Sequence, residues 1–178
     1  MTDASPVDRL YDESVSVVQA LSLAEPSLAI SASDTFRKTL VLASASYFEH
    51  RVSACVADFV HECANGSKLV VSFVKNKAIS RQYHTWFSWS DSNANTFFGM
   101  FGVEFKQMMQ ERVKSSEELR AAITSFLEIG NERNKLVHQD FASFPFEKTL
   151  DEIYGSYKKA IPFVDGLADY LRECKPGT

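Results

Sequence analysis

The sequence predicts an all-α fold, a bundle of about four main helices with short helices and an aromatic-rich connection between them. Three observations carry this. Apolar residues recur at three- and four-residue steps through most of the chain, Ser/Thr-x-x-Glu capping boxes precede two long periodic segments, and the one β-branched run has no second run to pair with.

Residues 7–23 place Val7, Leu10, Tyr11, Val15, Val18, Leu21 and Leu23 along one side of a short helix, which Pro26 ends. Asp34 is read as the N-cap of a long second helix with a broad stripe of Phe36, Leu40, Val41, Phe48, Val52, Cys55, Val56, Phe59, Val60 and Cys63. Asn65-Gly66 stops it. Leu69-Val70-Val71-Ser72-Phe73-Val74 has strand propensity, but a lone strand is unstable, so residues 67–80 are read as helix. Arg81 to Gly102 is dense in aromatic, Ser and Asn residues and is too apolar to be disordered. Helix resumes over about 103–113, and Ser115-Ser116-Glu117-Glu118 opens a long helix from 116 to about 139 with a core stripe of Leu119, Ile123, Phe126, Leu127, Asn134 and Val137. After a turn over Phe141 to Pro145, Thr149-Leu150-Asp151-Glu152 opens a final helix through about 173, which Pro162 should kink or divide.

With 178 residues and 45% hydrophobic composition, one core can bury roughly two-thirds of the unfolded surface, so 1–178 is read as a single domain. Residues 1–33 form an N-terminal helix and linker, and residues 34–173 form the core bundle. Lys+Arg number 19 against 23 Asp+Glu, a net charge of -4, so no overall basic field exists for non-specific duplex binding. Any nucleic-acid contact must be local. Cys55, Cys63 and Cys174 are odd in number and lack CxxC spacing, which fits a reducing compartment and makes cytoplasm the simplest reading. The N-terminus lacks a basic region followed by an apolar run, and no window approaches the roughly 18 apolar residues of a membrane span, so neither export nor a membrane partner is expected.

The chemistry concentrates in Arg133-Asn134-Lys135-Leu136-Val137-His138. On a helix Asn134 and His138 share a face, and the long side chain of Arg133 reaches the same place. Imidazoles as a class titrate near neutrality, so His138 could take a proton from a ribose 2′-OH or give one to the leaving 5′-oxygen. A fork-shaped guanidinium at Arg133 suits the charge that grows on a phosphorane, and Asn134 would position one of the two by hydrogen bonding. The reaction needs no metal, no spacing here looks like a metal site, and no cofactor is expected. Arg-Asn followed by His four residues after the Asn arises by chance in about one chain in a hundred of this length. The bland alternative is a cation pair at a helix C-terminus, where the dipole favours positive charge.

Glu128-Ile129-Gly130-Asn131-Glu132-Arg133-Asn134-Lys135-Leu136-Val137-His138-Gln139-Asp140 resembles the terminal-helix signature of HEPN domains, Arg, usually Asn, then His. Ser46-Tyr47-Phe48-Glu49, Trp86-Phe87-Ser88-Trp89 through Phe98-Gly99-Met100-Phe101-Gly102, and Lys148-Thr149-Leu150-Asp151-Glu152-Ile153-Tyr154 resemble segments of the branch called RiboL-PSP-HEPN. The similarity covers residues 34–172, and only the Arg-Asn-x-x-x-His part is specific. The resemblance implies a metal-independent endoribonuclease whose chains pair with their motifs facing across a cleft. Such proteins commonly act as toxins of toxin–antitoxin pairs or as anti-phage effectors. Some have lost catalysis and only bind RNA or nucleotides, but Arg133, Asn134 and His138 are all intact here.

Glu49 lies in an otherwise apolar or small-residue stretch, which suggests a half-buried carboxylate that either orients Arg133 or His138 or stands as a surface charge beside His50 and Arg51. Lys135, next to the motif, is the candidate for substrate phosphate contact. His50 and His61 are read as solvated. His84 with Arg81, Tyr83 and Trp86 could stack on single-stranded bases, though core packing of the aromatics is favoured. Lys75, Lys77 and Arg81 are either a phosphate-binding cluster or a solvated face. Without a metal-activated water the 2′-OH is the nearest nucleophile, so products with a 2′,3′-cyclic phosphate are expected. One chain brings a single motif histidine where internal transfer ideally uses two groups, so a homodimer is expected, with Leu136, Val137, Phe141 and Phe144 available to bury its interface. An antitoxin or defence-system protein is a possible further partner. The rival reading is a non-catalytic helical module that binds RNA or protein through the same groove, and a third is a structural bundle clipped from a larger defence protein.

Overall fold

The computed structural model describes residues 4–174, and among them every regular element is helical. α1 is Pro6–Ala24, α2 Pro26–Cys63 and α3 Lys68–Val74; a π-helical turn, Lys75–Ile79, follows. α4 is Tyr83–Trp86, α5 Asn95–Gly99, α6 Val103–Ser115, α7 Glu117–His138 and α8 Leu150–Glu173.

α1 begins one residue before the predicted segment because Ser5 and Asp8 form a reciprocal capping box, with Pro6 behind the cap. Pro26 does more than end α1. It is the first residue of α2, a position where the missing N–H costs nothing. Asp34 is therefore not an N-cap: it lies inside α2, where its carboxylate faces Arg37 and Lys38 at the i+3 and i+4 positions. α2 stops as predicted at Asn65-Gly66, whose φ values of 46 and 81 turn the chain into the left-handed region. Residues 68–79 are helical rather than extended.

α7 is capped by Ser116, which accepts from the Leu119 N–H, while the Ser115 hydroxyl donates to the Arg112 carbonyl. The cap thus falls one residue later than the predicted box. At α8 the predicted box is complete, with Thr149 N–H donating to Glu152 and Glu152 N–H to Thr149 Oγ1. Pro162 does not divide α8, which runs through it unbroken. Ala160, Phe163, Val164 and Leu167 are buried around it, and that packing outweighs one missing hydrogen bond.

Two compact units are distinguished along the chain. The first contains residues up to Tyr47 together with Ile129–Lys158, and its buried residues include Val7, Leu40, Val41, Leu136, Phe146, Leu150, Ile153 and Tyr157. Within it Tyr11 stacks on Tyr154 at 3.9 Å, and the Tyr154 hydroxyl donates to Asp8. The second contains Phe48–Glu128 and residues from Lys159 on. Its core is aromatic: Phe126 lies 4.9 Å from Phe87 and 5.2 Å from Phe163, and Phe87 stacks on Phe97 at 4.7 Å. Aromatic pairs of this kind add about 0.5–1.5 kcal/mol beyond the area they bury.

Candidate functional site

The motif closes α7, entirely inside the first unit. From Ile129 onward the helix packs in that unit's core, and its buried side chains there are Ile129 and Leu136. This corrects the predicted stripe: Asn134 is only half-buried, and Val137 is 53% exposed. With Leu136 facing inward, the opposite arc of the helix turns Asn134, Lys135 and His138 outward.

Arg133 Nη1 donates to Asn134 Oδ1 at 3.1 Å in a half-buried position. That contact engages the amide oxygen, and the donors of Asn134 are its two amide N–H groups. His138 is exposed on the last residue of α7, one turn beyond Asn134 on the same face. Lys135 is exposed as well, and its Nζ pairs with Glu132 at 2.8 Å. Lys135 and His138 both lie in the last turn, where unpaired carbonyls concentrate partial negative charge. Asn131, which the sequence reading left unassigned, is half-buried and shares a face with Asn134 and His138 at the i+3 and i+7 positions.

Behind this face the segment after His138 is held by side chains that sequence reasoning missed as site residues. Lys38, 2% exposed, donates to the Phe141 carbonyl at 3.0 Å and to Asp34 Oδ2 at 2.8 Å, with its ammonium 5.5 Å from the Phe141 ring centroid. Arg37 donates to the Phe146 carbonyl at 2.9 Å and to Asp34 Oδ1 at 3.1 Å. One turn of α2 therefore clasps both ends of the stretch Phe141–Phe146. Just before that stretch Asp140 accepts from the Ala142 N–H and the Ser143 hydroxyl, an Asx-type turn that starts two residues after the helix. The i, i+3, i+4 spacing of Asp34, Arg37 and Lys38 was the available signal.

Glu49 is exposed, beside exposed His50 and Arg51, and hydrogen-bonds to no described residue. The half-buried carboxylate expected there is not found, because Glu49 falls at the solvent edge of the stripe defined by Val41, Ala45, Phe48, Val52 and Val56. His61 is exposed as expected. Tyr83, Trp86 and Phe87 are buried in the second unit, with Trp86 Nε1 donating to the Ala78 carbonyl, so these aromatics pack as core. Lys75, Lys77 and Arg81 are all exposed.

No helix among the described residues is long and apolar enough to cross a membrane. No curated protein and no solved structure matches the chain. The sequence model of the family described as RiboL-PSP-HEPN does match, over residues 9–173, a span that contains every residue of the Arg133 to His138 site, and the chain belongs to that family.

Proposed function

We propose that this protein is an endoribonuclease that cleaves RNA without a metal ion. The observation that carries the reading is the Arg133–Asn134 pair, in contact at 3.1 Å one turn before the end of α7, with exposed His138 on the helix's last residue. Membership of a HEPN family points toward ribonuclease or nucleotide-related chemistry. In the proposed reaction the ribose 2′-oxygen attacks phosphorus as its proton leaves to a base, and the P–O5′ bond breaks as the 5′-oxygen is protonated. The products are a 2′,3′-cyclic phosphate and a 5′-hydroxyl. His138 transfers protons, Arg133 holds the charge on the phosphorane, and an amide N–H of Asn134 adds a donor to a non-bridging oxygen. Lys135 approaches the neighbouring phosphate.

Because the reaction ideally uses two proton-transfer groups, the working unit is a homodimer that sets two motifs across a cleft. Val137 and Phe141, exposed on either side of His138, are apolar surface for such an interface, while Leu136 serves the core and Phe144 is half-buried. The biological role that accompanies this chemistry is that of a toxin or an anti-phage effector, held in check or triggered by a partner protein.

The decisive experiment incubates purified protein with single-stranded RNA in EDTA. Cleavage is expected, with His138→Ala and Arg133→Ala each lowering the rate by about 10²–10⁴-fold and a 2′-deoxy residue at the cut position blocking it. RNA left intact, or a 2′-deoxy substrate that is cut, sinks the mechanism. Full activity from a protein that stays monomeric at micromolar concentration removes the composite site. RNA binding without cleavage favours the non-catalytic RNA- or protein-binding module instead.

A further inference from the structure

A cleft of about 390 Å³ opens beside the motif, between the Glu132–Lys135 side of α7 and the segment Phe144–Lys148. That volume is in the range of small-molecule sites, roughly 300–1,000 Å³. Its wall is unusual for a groove next to a phosphate-handling motif, because it combines the half-buried Phe144 ring with two carboxylates, Glu132 and Glu147, and two ammonium groups, Lys135 and Lys148. The two carboxylates and two ammonium groups cancel in formal charge, so the wall suits an uncharged part of the substrate that carries both donors and acceptors.

Glu132 is engaged through Oε1 by Lys135 at 2.8 Å. The Glu147 carboxylate is exposed and hydrogen-bonds to no described residue, so it has both oxygens available. Two carboxylate oxygens match two adjacent N–H donors. Among the RNA bases only guanine carries two adjacent donors, N1–H and N2–H₂, on its Watson–Crick edge. Its adjoining Hoogsteen edge offers O6 and N7, the acceptor pair that lysine and arginine recognise. Unpaired bases are commonly read by an aromatic stack and hydrogen bonds to their edges.

We propose that this cleft is a guanine subsite. A guanine next to the cleaved phosphate stacks on Phe144, donates from N1 and N2 to Glu147, and accepts at O6 and N7 from Lys135 or Lys148. The assignment rests on the ribonuclease reading for its place beside the reaction, whereas binding of the base does not require cleavage.

The test measures binding of 5′-GMP, 5′-IMP and 5′-AMP to the full chain by calorimetry, since inosine differs from guanine only by the missing N2 amine. GMP is expected to bind at least about tenfold more tightly than IMP or AMP. Glu147→Gln is expected to erase that preference, and Phe144→Ala to weaken GMP and IMP alike. Glu147 is exposed and makes no bond, so its replacement leaves the fold intact. In parallel, single-stranded RNA carrying one G should be cut beside it by the wild type and at positions unrelated to G by Glu147→Gln. Equal affinity for the three nucleotides, no nucleotide binding, or a preference that survives Glu147→Gln overturns the subsite. A GMP preference that follows this pattern in a protein that cuts no RNA keeps the subsite and removes the ribonuclease. Cleavage indifferent to base, with no GMP preference, does the reverse.

Discussion

Asp34 and Lys38 are one ion pair, yet removing either should have unequal cost. Lys38→Met keeps the length of the aliphatic stem and removes the ammonium. The Phe141 carbonyl then loses a charge-assisted hydrogen bond, and Asp34, whose side chain is 36% exposed and still paired with Arg37, is left wet and partnered. A loss of about 1–2 kcal/mol is expected. Asp34→Ala instead strands an ammonium whose side chain is 3% exposed on one neutral carbonyl. Breaking a buried pair in that way costs about 3 kcal/mol or more. Because total stabilities of folded domains are about 5–15 kcal/mol, the gap between the two variants is readable in a urea titration. The double variant should cost about as much as Lys38→Met alone, since the stranded charge has gone. Asp34→Ala costing no more than Lys38→Met, or a double variant equal to the sum of the singles, would refute the claim that burial of the ammonium governs the clasp.

Burial pushes the Asp8 carboxyl up, but hydrogen bonds from the Ser5 N–H, the Tyr154 and Ser5 hydroxyls and Lys158 outweigh it, and the net shift is downward. A lowered folded-state pKa stabilises the fold above the unfolded pKa, and the contribution fades as pH falls through the folded value. Asp8→Asn should therefore flatten the acid limb of a plot of urea midpoint against pH; an unchanged limb excludes this origin. Burial, reinforced by Asp58, pushes the Cys55 thiol up to about 11, whereas Cys63 is exposed. Iodoacetamide near pH 8 should label Cys63 at least about tenfold faster than Cys55 in the folded protein, and equal rates by mass spectrometry contradict this.

The helices were legible because their signals are local. The Thr149–Glu152 box works through bonds spanning three residues, and the Asn65-Gly66 stop lies in the backbone freedom of two residues. Asp34 misled because an acid before an apolar run is also what an N-cap looks like. Its actual role needs Phe141, whose carbonyl lies 103 residues from Lys38 along the chain. Val137 was placed in the core by extending the Leu119 to Leu127 pattern, but from Ile129 the helix packs in a different unit and buries Leu136 instead. The Arg133–Asn134 contact and the exposed place of His138 one turn on were readable because all three residues lie in one short stretch of a single helix. The clasp on the segment after it depends on pairings no local pattern encodes.

An amide at position 134 also acts as a converter of polarity. It takes a hydrogen bond from a cation at its oxygen and carries two N–H donors at its nitrogen, so a donor group stands next to Arg133 without adding charge. Aspartate could receive the guanidinium but would add a negative charge and no donor. Lysine could donate but would repel the guanidinium beside it. Glutamine has the right ends on a stem one methylene longer, which shifts where the donor lands. Asparagine thus receives the arginine beside it and keeps donors of its own at this reach, with no charge added.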